Sequence, residues 1–125
     1  MNLEKVVFSF FIVLALTINF GFFLGDIDNP HHHNIYEFFA AIVVSLTATI
    51  LKFGDRSSMG TLLLASSLVA DLQLIIGAII WAFADTGNGI APETLASIVS
   101  LSGGALLANF VSVTLLLIET AILRR

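Results

Sequence analysis

The chain contains no cysteine, which removes disulfides, thiolate metal sites and thiol nucleophiles. Charge is scarce: 11% of its 125 residues are charged, where a soluble domain carries about 25%. Five Lys and Arg face nine Asp and Glu, so no basic stripe exists to hold nucleic acid. No nucleophile stands beside a base, no metalloprotease helix motif occurs and no glycine-rich phosphate loop follows a strand. The expectation is a protein that is not an enzyme and needs no cofactor. What the chain has instead is apolar surface, 58% of its residues, which excludes disorder as firmly as it excludes an ordinary soluble domain.

That surface is arranged in long runs. A membrane-crossing helix needs about 20 mostly apolar residues. Val6 to Leu24 is such a run, with no charge in it. It reads as a span and not as a cleaved leader, because no small-x-small site follows Leu24. Asp26, Asp28, Asn29 and Pro30 break it before a second run from Ile35 to Phe53, where Asn34 and Glu37 have capping-box spacing. Met59 to Ala84 follows, with Ser58 as a natural cap and Asp71 as its sole charge. Pro92 suits the first turn of the last run, Glu93 to Leu123. Each run is predicted helical, since a lone segment in lipid must satisfy its own backbone hydrogen bonds. The expected fold is all-α, a single four-transmembrane-helix bundle over residues 1–125 with helices at about 6–24, 35–53, 59–84 and 93–123.

Orientation follows from the basic residues. Lys5, Lys52, Arg56, Arg124 and Arg125 all fall on one side of a four-span chain, which predicts cytoplasmic N and C termini. Such a bias argues against the dual topology of small multidrug-resistance exporters and fluoride channels. The exporters' first-helix glutamate and the channels' arginine motif are also missing. Rotor c-subunits carry a mid-helix carboxylate too, but the glycine-rich partner helix they need is not found in the first two spans.

Three segments carry a family resemblance: Asp28-Asn29-Pro30-His31-His32-His33, Lys52-Phe53-Gly54-Asp55-Arg56-Ser57, and Ala70-Asp71. In these the whole chain resembles a family of small, uncharacterised four-helix membrane proteins from bacteria, a domain of unknown function. The resemblance implies an α-helical fold in a bacterial inner membrane and supplies no site residues.

Asp71 is the residue most in need of a physical account. An ionised carboxylate at the centre of a lone helix costs about 2.5–3.5 kcal/mol on insertion scales. It lies roughly 18 Å from the inner end of its span, too deep for so short a side chain to reach water. It must carry a proton, meet a polar partner or face an aqueous oligomer interior. By the same count Asn19 lies at about 20 Å and Asn109 at about 14 Å, with Gln73 within a turn of Asp71. The functional reading is a mid-membrane ion pathway of Asp71, Asn19, Asn109 and Gln73; the bland reading is a buried acid gluing helices together.

Other clusters are weaker. His31, His32 and His33 could bind a metal with Asp26, Asp28 and Glu37 nearby, yet they lack the i, i+4 spacing of a zinc pair. Asp26, Asp28, Glu37, Asp85 and Glu93 would form an acidic outer mouth that gathers cations, or are simply what the positive-inside rule leaves outside. Ser97, Ser100, Gly104, Ala108 and Ser112 make a small-residue stripe for close helix packing. Ser45, Thr47, Thr49 and Thr114 are expected to bond carbonyls of the preceding turn, Glu119 to serve as an interfacial anchor or to pair with Arg124 one turn away, and Trp81 and Tyr36 to sit in an interfacial belt.

Four helices leave little room for an internal aqueous path, so a conducting form is expected to be a symmetric homo-oligomer in the bilayer. The expected function is cation conduction or translocation through the mid-membrane polar site. The alternative is an accessory subunit of a larger transporter or channel, with Asp71 as a helix-pairing group. In that alternative the turn around Lys52 and Arg56 would contact a cytosolic regulatory subunit.

Overall fold

The computed structural model describes residues 3–24, 34–53, 57–84, 87 and 89–123. Within them the chain forms four helices: α1 (Leu3–Phe23), α2 (Ile35–Lys52), α3 (Ser58–Ala84) and α4 (Pro92–Leu123). Each is long and apolar enough to cross a membrane, the pattern of a multi-pass membrane protein.

The helix starts are chemically marked. Asn34 caps α2 by accepting from the Tyr36 backbone N–H at 2.7 Å. At α3 the cap is Ser57, one residue before the expected Ser58: its hydroxyl accepts from the Gly60 N–H at 3.0 Å. Pro92 opens α4, where its missing N–H costs nothing. Between α3 and α4, Gly87 and Gly89 adopt φ of 94° and 85°, a conformation that a side chain would strain.

The helices form a closed ring in chain order, each packed on its sequence neighbours and α4 returning to α1. Successive helices run antiparallel, so the start of α1 and the end of α4 lie at one end of the bundle, the termini end. That end is fastened by the Lys5–Glu119 pair, 3.8 Å across α1 and α4. Arg124, the partner expected for Glu119, lies outside the described residues.

Apolar side chains cover the outside as well as the inside. Phe10, Val43, Ile50, Leu72, Leu107 and Leu117 are all exposed, as lipid-facing residues must be. Specificity therefore comes from packing and not from a hydrophobic stripe. Two apolar clusters form the interior. One is built around Phe22, Phe38 and Trp81 at the end away from the termini, the other around Phe8, Ile12, Leu63 and Leu116 nearer to them. Trp81 is 9% exposed and its ring lies 5.7 Å from that of Phe38 and 6.1 Å from that of Phe22. It is a core residue, whereas Tyr36 is 81% exposed. Glycines seat neighbouring side chains: Phe38 lies against Gly77, Phe23 against Gly103 and Gln73 against Gly104.

Candidate functional site

Among the described residues, eight polar side chains are buried in this interior: Asn19, Ser45, Thr49, Ser67, Asp71, Ser102, Asn109 and Ser112. A buried polar group needs a partner, so the pairing pattern is informative.

Asp71, 5% exposed, is held by α2. Ser45 donates its hydroxyl to Asp71 Oδ1 at 2.6 Å, and the Thr49 hydroxyl lies 2.5 Å from Oδ2. Ser45 and Thr49 are one helical turn apart and so share the face of α2 that meets α3. The Thr49 hydroxyl is also 3.0 Å from the Ser45 carbonyl. It has one proton and two acceptors within reach. No ion pair among the described residues involves Asp71; Lys5 pairs with Glu119, and Lys52 lies 4.6 Å above the Phe8 ring.

The depth of this site is set by helix register. Asp71 is thirteen residues into α3, about 20 Å. Its partners Ser45 and Thr49 are seven and three residues before Lys52, the last residue of α2, which is only about 10 and 5 Å. The difference arises because α3 has 27 residues and α2 has 18, and the surplus lies at the termini end. Asp71 is thus central in its own helix but one to two turns inside the end of its neighbour.

The residues expected to share its layer divide into separate groups. Asn19 pairs across α1 and α4: its amide donates to the Ser102 carbonyl at 3.1 Å and its oxygen accepts from the Ser102 hydroxyl at 2.6 Å. Ser66 and Ser112, hydroxyl to hydroxyl at 2.5 Å, join α3 to α4. That register puts Asn109 opposite residue 69, within about 3 Å of the level of Asp71 along the axis, and leaves Asn19 about 10 Å farther from the termini end. Asn109 is fully buried, yet neither of its amide atoms has a hydrogen-bond partner among the described residues. Ser67 Oγ and Gln73 Oε1 are in the same position. Each such group costs about 1–3 kcal/mol. Gln73 rests on Gly104 of α4, away from α2.

Over the carboxyl lies a groove of about 490 Å³ between α2 and α3, lined by Leu46, Ile50, Phe53, Leu68, Leu72 and Ile75, with Thr49 and Asp71 as its polar residues. All six apolar lining residues are exposed, so the groove opens sideways, onto the lipid-facing surface.

The other expected sites are less assembled. Asp26, Asp28, Asp85, His31, His32, His33, Arg56 and Arg125 lie outside the described residues. Glu37 lies against Gly21 of α1, and Glu93 is exposed at the start of α4. Among the described residues no three His, Asp or Glu gather to hold a metal. The small stripe of α4 turns as it descends: Ser97 and Ser100 are exposed, whereas Ala108 and Ser112 are buried. Thr47 and Thr114 bond carbonyls one turn back, as expected, but the Ser45 hydroxyl goes to Asp71. Thr49 does bond the Ser45 carbonyl one turn back, as expected, so the contacts missed from sequence are those that Ser45 and Thr49 make to Asp71. Their shared face, spacing and small size were the signal that could have found them.

Comparison with known proteins adds a family. A family described as "Family of unknown function (DUF6394)" matches residues 32–120, which takes in α2, α3 and most of α4. No curated protein and no solved structure matches the chain.

Proposed function

The chain belongs to the DUF6394 family, whose function is unknown, and from its geometry we propose a small oligomeric protein that translocates a cation, foremost a proton, across a bacterial inner membrane. Asp71 is the exchange site, and both termini are cytoplasmic. The observation that carries this reading is the Thr49 hydroxyl, poised between Asp71 Oδ2 and the Ser45 carbonyl.

Two hydrogen-bond arrangements fit those positions. With a proton on Oδ2, the acid donates to Thr49 Oγ1, and Thr49 donates to the Ser45 carbonyl. Without it, Thr49 rotates its proton onto Oδ2. Ser45 donates to Oδ1 in both. One hydroxyl rotation thus keeps the carboxyl hydrogen-bonded whether loaded or empty, which lowers the cost of holding an exchangeable acid in apolar surroundings. A small cation coordinated by the same oxygens would serve as the load equally well.

The surroundings support transfer. Ser67, one turn before Asp71, and Asn109, at about its level, offer unpaired donors and acceptors inside the bundle. Among the described residues the end away from the termini carries Glu37 and Glu93 and no Lys or Arg, whereas at the termini end Lys5 and Lys52 balance Glu4 and Glu119, an asymmetry that draws cations to the far end.

Purified protein in liposomes should dissipate an imposed pH gradient. Thr49→Val should slow this about a hundredfold, the low end of the range for a positioned proton-transfer group. Thr49→Ser, which keeps the hydroxyl, should retain most of the rate. Wild-type vesicles as tight as protein-free ones to H⁺, Na⁺ and K⁺ would end the proposal.

A second reading, an accessory subunit whose Asp71 pairs with a helix of a larger transporter, is favoured by the sideways opening of the groove. It requires a stoichiometric membrane partner in mild-detergent pulldowns.

A further inference from the structure

The groove over Asp71 has a chemistry of its own. Its walls are aliphatic and aromatic, Asp71 and Thr49 are its polar lining residues, and it opens on the exposed apolar face of the bundle. Phe53 marks its end near the α2–α3 turn, and Leu46 and Ile75 mark the other, a span of about 10 Å. Its volume of about 490 Å³ falls in the range of small-molecule sites.

We propose that this groove binds an amphiphilic monocation, an ammonium group carrying one aliphatic chain, with the nitrogen on Asp71 and the chain along the apolar walls. Charge complementarity selects this occupant. The carboxyl receives hydrogen bonds from two hydroxyls but no opposing charge from the described residues. An uncompensated buried carboxylate is costly, and a cation arriving from the lipid side removes that cost without opening the bundle to water. A neutral or anionic amphiphile fills the walls equally well but leaves the carboxyl unpaired or repelled. The inference rests on Asp71 being an exchangeable acid, and it is tested by binding instead of flux, so the two readings can fail separately.

The test uses the full chain in liposomes and an apolar carbodiimide, dicyclohexylcarbodiimide. In that reaction the carboxyl proton passes to a carbodiimide nitrogen while the carboxyl oxygen bonds to the central carbon. Acyl migration to nitrogen then leaves a stable N-acylurea, and no group departs. Mass spectrometry should find Asp71 modified by this reagent and spared by a water-soluble carbodiimide. Dodecylamine at about ten times its Kd should slow the labelling roughly tenfold, and dodecanol and dodecanoic acid less than about twofold. Leu72→Trp, which fills the groove from its exposed wall, should weaken both labelling and amine protection.

Equal protection by the alcohol, no protection by the amine, or labelling confined to the water-soluble reagent would each overturn the assignment, as would no labelling at all. Labelling that appears only when a native oligomer is dissociated would put a second copy of the chain in the groove and likewise overturn it.

Discussion

Replacing Asp71 with asparagine should silence ion movement and leave the bundle folded. An asparagine Oδ1 accepts from Ser45 as Asp71 Oδ1 does, and its Nδ2 donates to Thr49, which turns its own proton to the Ser45 carbonyl. Asn therefore copies the loaded arrangement of the acid and has no proton to release. Unfolding free energy should stay within about 1 kcal/mol of wild type, since every hydrogen bond has a counterpart. Flux in liposomes should drop to that of protein-free vesicles. Asp71→Glu keeps the acid but lengthens its reach, and should restore part of the flux while losing stability to overpacking, about 1–3 kcal/mol. Retention of full activity by Asp71→Asn would remove the carboxyl from the mechanism.

The largest loss of stability is expected away from the carboxyl, at Trp81→Ala. Trp81 is wedged among Phe22 of α1 and Phe38 of α2, so one side chain joins three helices. Lipid is as apolar as the core, so the loss is one of packing: removing the indole leaves a cavity that two neighbouring rings cannot fill without shifting. The cost should be about 3–5 kcal/mol in reversible denaturant unfolding. A tryptophan at the lipid–water boundary would lose far less, under about 1 kcal/mol. The measurement therefore also decides where this side chain resides.

These two residues show what the sequence encodes and what it leaves open. The four helices follow from run length and from the breaks at Asn34, Ser57 and Pro92, because a membrane span is a matter of composition. The burial of Asp71 could likewise be inferred from one charge in an apolar run. Its partners could not. Choosing Ser45 and Thr49 over Asn19 requires the rotation and axial offset of α3 against α2, and a helix that is apolar on every face carries little record of either. The same difficulty placed Trp81 in an interfacial belt, since nothing local distinguishes a side chain at a boundary from one turned inward beneath it. Glu119 repeats the lesson: its partner among the described residues, Lys5, comes from α1, which returns to the same end and is far away in sequence.

Ser45, Thr49 and Asp71 all come from one chain, on two helices joined by a short turn. Whatever the number of subunits, every copy then carries its own Asp71 with both hydroxyl partners. An inactive copy mixed into such an assembly would subtract its own share and spare the rest, so output should fall in proportion to dose, without the steep dominance expected of a shared central pore.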